Sequence, residues 1–311
     1  MACKIAELDQ LVREIPDGSE IALGSFAIAR NPIAFTNELI RQKKRNLKIY
    51  GIIGSMDADM LVGAGCVEEY SYGGGSLDRF GRINRVNEAL EKNSVRILEY
   101  SGLSLSMRFL AGCSGIPFIP TKTLLGTDIL KNLLAKSAPV ALGTCPFSGE
   151  KTVLLQKLQP DYAILHAHAA DERGNIILKG PIWDEELAKS AKKLIVTVEQ
   201  IVSNEFVKRN PELVKVPNIY TYAIARIPFG AFPTSLFKEY DYDGDFISMY
   251  AEVNKKQETF DEFLKKYIFG TKTHYEFLEQ VGGLKRMADI KAPNLFQEFV
   301  MGLCSKDVLF E

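Results

Sequence analysis

Ser19–Phe35 reads SEIALGSFAIARNPIAF. An apolar run, Ile21 to Leu23, stops at the small pair Gly24-Ser25 and gives way to Phe26. Behind Asn31-Pro32, the residues Ile33, Phe35, Leu39 and Ile40 recur at helical spacing, with proline at an early helical position. A strand that ends on a glycine-bearing loop and hands over to a helix is the first half of a βαβ unit. In open parallel sheets, such loops border the ligand crevice at the carboxyl ends of the strands. This loop holds no carboxylate, histidine or thiol, and Arg30 is its one charged side chain.

The same alternation recurs along the chain. Strand patterns are read at Asn46–Gly54, Cys66–Ser76, "VRILEY", "DYAILHAHA", "KKLIVTVEQIV" and "IYTYAIARI". Helical patterns are read at the start (Ile5, Leu8, Leu11, Val12), at "MDADMLVGAG", at "SLSMRFLAGC" and at "DEELAKSAKK", where Asp184 is a cap candidate. "IPFIP" reads as extended. From Asp245 to Met287 the pattern is several helices broken at Phe269-Gly270 and Gly282-Gly283. Short apolar runs alternating with helices predict an α/β fold with a mostly parallel sheet, helices on both faces and a helical C-terminal layer. One domain over residues 1–311 is expected, with Pro181–Glu186 as a candidate internal lobe boundary.

Bulk properties narrow the function. Of the 311 residues, 46% are hydrophobic and 25% charged, as in an ordinary globular protein. A formal net charge of −1 gives no reason to expect nucleic acid or an anionic membrane as partner. Lys43-Lys44-Arg45 reads as a solvated helix end. Five cysteines without a Cys-x-x-Cys pair argue against a metal site or disulfide framework and for a reducing compartment. No apolar stretch approaches a signal peptide or a membrane span, so a cytoplasmic protein is expected.

Four loops would face the crevice: Gly24-Ser25-Phe26, Gly54-Ser55, Gly73-Gly74-Gly75-Ser76 and Leu125-Gly126-Thr127. The glycine run can bring backbone N–H groups to an oxyanion or be a tight turn; it matches neither the dinucleotide nor the phosphate-loop spacing. His166 and His168 share a strand face and read as a buried, hydrogen-bonded pair rather than metal ligands. Asp57 and Asp59 suit the first turn of a helix. Asp241, Asp243 and Asp245 resemble part of a calcium loop but lack its closing glutamate, so a turn with a helix cap is expected. Glu199, at a strand end, is either a nucleophile or base, or the anchor of a neighbouring loop. Ser25 and Ser76 have no His-Asp relay in view. His274 has no assigned role.

The Ser19–Phe35 stretch resembles the signature of family I coenzyme A transferases: Asp/Ser-Gly, an apolar strand, Gly-Gly-Phe, then a proline. Here these are Asp17-Gly18, Ile21–Leu23, Gly24-Ser25-Phe26 and Pro32, with Ser25 in place of the second glycine, a change that could narrow the acyl site. Arg30 before Pro32, "DADMLVGAG", "GIPFIP" followed by Gly126-Thr127, "ILHAHAADERGNI", "LIVTVEQIVSNE", "PFGAFPTS" and "YDYDGDF" together resemble the A (α) subunit of glutaconate CoA-transferase over nearly the whole chain.

The resemblance implies a Rossmann-like fold and an obligate heteromer of A and B subunits, A2B2 or larger. It also implies transfer of CoA between an acyl-CoA and a small carboxylic or dicarboxylic acid. CoA is then a substrate, and no cofactor is permanently bound. The nucleophilic glutamate of two-chain members lies in a Ser-Glu-Asn-Gly stretch of the B subunit. No such tetrapeptide occurs here, so no catalytic residue is expected in this chain. Gly24, Ser25, Phe26, Arg30, Gly74, Gly75, Ser76, Gly126 and Thr127 would line the substrate and oxyanion site. Arg30 would hold a distal substrate carboxylate or bridge to an acidic residue.

Two alternatives remain at this point. A neighbouring branch, two-subunit hydrolases that open a ring of a steroid-derived CoA thioester, carries a glutamate in the corresponding (α) polypeptide. The matching position falls at or near Gly102, with Glu99 about three residues early. A non-catalytic ligand-sensing domain is the third reading, set last because no DNA-binding segment is read at either end.

Overall fold

The computed structural model describes residues 4–180 and 184–292. The chain opens with β1 (Lys4–Ile5), β2 (Glu20–Phe26), β3 (Leu47–Ile53), β4 (Val67–Tyr72) and β5 (Arg96–Glu99). It then builds a separate three-stranded antiparallel sheet, in the order β6-β8-β7, from β6 (Phe118–Thr121), β7 (Val140–Thr144) and β8 (Lys151–Gln156). The main sheet resumes with β9 (Tyr162–Asp171), β10 (Ile176–Ile177), β11 (Lys193–Val202), β12 (Val214–Val216) and β13 (Thr221–Arg226). Its principal order is β1-β13-β11-β9-β2-β3-β4-β5, parallel throughout, with β10 joined antiparallel to β9 and β12. From β2 the chain steps outward to β5, and from β9 it steps outward on the other side. The order therefore reverses between β2 and β9, where a doubly wound sheet opens its crevice.

The helices between strands are α1 (Leu8–Arg13), α2 (Ile33–Arg41), α3 (Met56–Gly63), α4 (Asn84–Glu91), α5 (Gly102–Cys113), α6 (Asp128–Ala135), α7 (Glu185–Ser190) and α8 (Asn204–Arg209). After β13 come α9 (Gly244–Val253), α10 (Gln257–Phe263), which continues as a π-helical turn over Leu264–Phe269, α11 (His274–Gln280) and α12 (Gly283–Ile290). Alternate residues of the strands feed two different cores, as the two-residue period requires. Ile21, Leu23, Ile49 and Ile164 pack with α1 to α4 and the C-terminal helices. Ala22, Tyr50, Ile52, Ala163 and Leu165 pack with α5, α6, α7 and the inner side of the small sheet. Burial on both faces explains why these strands read as unbroken apolar runs.

The expected α/β fold, with a mostly parallel sheet, helices on both faces and a helical C-terminal layer, is the fold observed. Three local readings change. Ile5 is not in the first helix; it is half-exposed in β1 beside Ile224, and the helix begins at Leu8. The antiparallel pair β7–β8 was not foreseen, although β6 occupies the extended "IPFIP" segment. No residue of β7 is buried, so the pair's apolar pattern is weaker than that of the main strands. Of the candidate boundary Pro181–Glu186, residues 181–183 lie outside the described residues, while Glu185 and Glu186 open α7.

Candidate active site

The carboxyl ends of β2, β3 and β4 and the start of α5 are sewn together by backbone. Register slips between Leu23 and Phe26, so Gly24-Ser25 leaves the β2–β3 ladder. Ala27 N–H then donates to Ile53 O at 3.1 Å, and Phe26 N–H to Ala29 O at 3.0 Å. Gly54 N–H donates to Gly74 O at 2.9 Å, and Ser76 N–H returns to Gly54 O at 3.2 Å. The Ser55 hydroxyl donates to Ser76 O at 2.8 Å. A Cβ on Gly73 would lie 2.6 Å from the Gly102 Cα, so only glycine lets these two backbones meet. The glycine run is thus a packed junction between β4 and α5 as well as a loop at the crevice.

Beneath this surface lies a polar layer. Arg30, in the left-handed region at φ 60°, turns its side chain inward. Both terminal nitrogens reach Asp184, Nη1 to Oδ2 and Nη2 to Oδ1, each at 3.1 Å. The two side chains are 5% and 1% exposed. Of the two readings of Arg30, the structure places it in the bridge to an acidic residue. Asp184 precedes α7 but makes no side-chain cap bond, because its carboxylate serves Arg30 instead. Gly24 packs directly above: a Cβ there would lie 2.8 Å from Asp184 Oδ2.

Ser25 is buried, and its hydroxyl donates to Asp57 Oδ2 at 3.3 Å, so its side chain is not part of the cleft wall. Asp57 also accepts the N–H groups of Ser55 and Ala58, and burial pushes its carboxyl up against those bonds. Asp59, in the same first turn of α3, accepts from Val86 N–H, Tyr250 Oη and Asn254 Nδ2. Burial raises it to about 6. It ties the C-terminal layer to the crevice wall.

Over this layer opens a cleft of about 550 Å³. Its apolar walls are Phe26 from the β2 loop, Ile52 and Ile53 from β3, and Leu103, Met107 and Leu110 from α5. Gly102 and Ser106 complete the helix side, and Glu186 of α7 stands at the edge. The α5 wall was missed from sequence, yet its signal was present. Leu105 and Phe109 face the core while Leu103 and Leu110 are 58% and 42% exposed, so the helix is apolar on two sides. Glu99 is exposed at the end of β5 and is not among the cleft residues; the position matched to the hydrolase glutamate is a glycine facing the cleft.

The remaining candidates lie elsewhere or act locally. Gly126 and Thr127 do not border the cleft. Gly126 takes φ 77°, and the Thr127 hydroxyl caps α6, accepting from Leu130 N–H at 3.3 Å and donating to Leu124 O at 2.7 Å. Gly74, Gly75 and Ser76 do not line the cleft either; they pair with Gly54 behind it, and the Ser76 hydroxyl accepts Asp78 N–H at 3.1 Å.

Glu199 anchors a loop: its carboxylate accepts Phe229 N–H at 2.8 Å, Tyr240 Oη at 2.9 Å and His166 Nε2 at 2.7 Å. Burial opposes its charge, but these bonds and the His166 charge prevail and hold the carboxyl below its ordinary range. His166 also meets Thr197 Oγ1 at 2.9 Å. His168 links Phe237 O and Lys179 N–H, so the pair is buried and hydrogen-bonded as read. Asp243 caps α9 through Phe246 N–H at 2.9 Å and pairs with Arg286, the cap expected in place of a calcium site.

No helix among the described residues is long and apolar enough to cross a membrane. Comparison with known proteins places this architecture. The family model described as Coenzyme A transferase matches residues 5–226. The A (α) subunit of glutaconate CoA-transferase from Acidaminococcus fermentans is 32% identical over 291 residues, covering 89% of this chain and 91% of that one. The A (α) subunit of 3-oxoadipate CoA-transferase from Pseudomonas knackmussii is 31% identical over 273 residues, covering 86% and 94%. The crystal structure of the A. fermentans glutaconate enzyme superposes with a TM-score of 0.89 at 30% identity, over 93% of this chain and 96% of that one. The chain also spans 65% of the length of a 34%-identical Archaeoglobus fulgidus protein. With the signature loop, the sheet order and these likenesses in agreement, the chain belongs to the coenzyme A transferase family.

Proposed function

We propose that this chain, acting as one unit over residues 1–311, is the A (α) subunit of a cytoplasmic heteromeric CoA-transferase. Its B subunit supplies the nucleophilic glutamate, in an assembly of A2B2 or larger. The glutamate carboxylate attacks the acyl-CoA thioester carbonyl and expels CoA thiolate, leaving an acyl-glutamyl anhydride. The thiolate attacks the glutamyl carbonyl of that anhydride, releasing the acid and forming a glutamyl-CoA thioester. An acceptor carboxylate repeats the two steps in reverse order and leaves with CoA, freeing the glutamate. Splitting one difficult exchange into carboxyl substitutions is covalent catalysis. CoA passes through as substrate.

In this reading, the chain supplies one wall of the pocket. The β2 and β4 loops border the reacting carbonyl, where backbone N–H donors would stabilise the developing oxyanion. One observation carries the assignment of the nucleophile to the partner. Three buried carboxylates are already committed within the chain: Asp57 to Ser25 and Ser55, Asp184 to Arg30 and Glu199 to Phe229 and Tyr240. Gly102, facing the cleft, supports transfer over the hydrolase alternative.

The test is to co-express the chain with a B polypeptide bearing Ser-Glu-Asn-Gly and treat the complex with borohydride. Inactivation is expected only after acyl-CoA is added, with the reduced glutamate mapping to B by peptide mass. An adduct on Glu186, Glu199 or any other residue of this chain refutes the proposal. Thioester loss without an acceptor acid would select the hydrolase instead.

A further inference from the structure

We infer that the cleft between the β2 loop and α5 holds the acyl chain of the donor, and that this chain is apolar: an aliphatic or aryl monocarboxylic acyl group rather than a dicarboxylic one. The inference rests on the transferase reading above and deepens it to the substrate class. The cleft borders Phe26, the last residue of the strand that carries the family signature, and is closed on the far side by Leu103, Met107 and Leu110. Its volume of about 550 Å³ lies in the range of small-molecule sites. Gly102 adds no side chain where it faces the space.

On the wall that the described residues of this chain supply, a distal carboxylate finds no counter-charge. Among the described residues, the one ionisable side chain bordering the cleft is Glu186, which carries the wrong sign. Arg30, the cation of the signature loop, is buried with both terminal nitrogens on Asp184. Arg108, the cation of α5, lies on the helix's other side and donates to Gln156 O and Tyr100 Oη. An unpaired carboxylate brought against Leu, Ile, Met and Phe walls loses hydration without compensation, whereas each buried methylene is favourable.

The test uses the reconstituted A–B complex with acetate as acceptor. The donors are acetyl-, butyryl-, valeryl-, hexanoyl- and glutaryl-CoA. The kcat/KM is expected to rise about fourfold per methylene while the chain lengthens within the cleft. Valeryl- and glutaryl-CoA have equal carbon counts, and the second should be slower by on the order of a hundredfold. Leu110→Lys, at an exposed cleft position, should raise the glutaryl-to-valeryl ratio at least tenfold by placing a cation on the wall. Glutaryl-CoA equal to or faster than valeryl-CoA, a flat series, or an unmoved ratio in a folded L110K complex would each overturn the inference while leaving the transferase reading intact. A complex that transfers CoA from none of the donors fails the transferase reading itself.

Discussion

Arg30→Met and Asp184→Asn should each destabilise the chain far more than a typical surface ion-pair variant. The pair is bidentate at 3.1 Å on both arms, with the two side chains 5% and 1% exposed. Removing one partner strands the other charge out of water, which costs about 3–5 kcal/mol. That is roughly two to three and a half powers of ten in the unfolding constant. Replacing both by apolar residues, Arg30→Met with Asp184→Leu, removes both charges and should cost less than the sum of the single changes by at least about 2 kcal/mol. Urea denaturation of the reconstituted A–B complex at one fixed protein concentration, followed by circular dichroism, reads the cycle. Single losses below about 1 kcal/mol, or strict additivity, would show that the pair is solvated and would refute the reasoning. A second readout separates structure from recognition: in A–B complexes carrying R30M, the glutaryl-to-valeryl ratio should stay within about threefold of the native complex. A larger change would make Arg30 a substrate clamp.

Two further outcomes follow from buried groups. A Cβ on Gly54 would lie 1.8 Å from Tyr70 Oη, a buried hydroxyl with no hydrogen-bond partner among the described residues. Gly54→Ala should therefore cost about 1–3 kcal/mol in urea denaturation. Tyr70→Phe alone should be neutral or slightly stabilising and should reduce the cost of Gly54→Ala, and equal costs in both backgrounds would exclude the clash. Burial holds His168 down to about 4, so its ring-proton NMR titration should have a midpoint near that value rather than 6.5. Because its folded value lies below its unfolded one, its contribution to stability is present above about pH 6.5 and is lost as pH falls toward 4. His168→Asn should lower the pH slope of stability between 4.5 and 6 by about 1.4 kcal/mol per unit, and an unchanged slope would mean that the ring is not buried neutral.

What the sequence alone determined is what can be decided within one segment. The strand, loop and helix of Ser19–Phe35 follow from periodicity and from Gly24 and Pro32, and they carry the family signature. The Asp243 cap and the helix breaks at Gly270 and Gly282 are likewise short-range, since their partners lie within a turn. The α/β class follows from repeated apolar runs, because strands covered on both faces have no polar side. The tertiary structure decided the rest. Arg30 meets a carboxylate 154 positions away only because β9 lies beside β2, at the reversal of strand order that brings α7 over the β2 loop. Asp184 looked like a cap for the same reason: its local alternative was visible and its distant partner was not. Leu103, Met107 and Leu110 have the spacing of an ordinary core stripe, and whether that stripe meets protein or open space depends on what packs against α5. Side-chain period is a property of a segment. Charge pairing and cavity shape are properties of neighbours, and neighbours are set by the order of strands in the sheet.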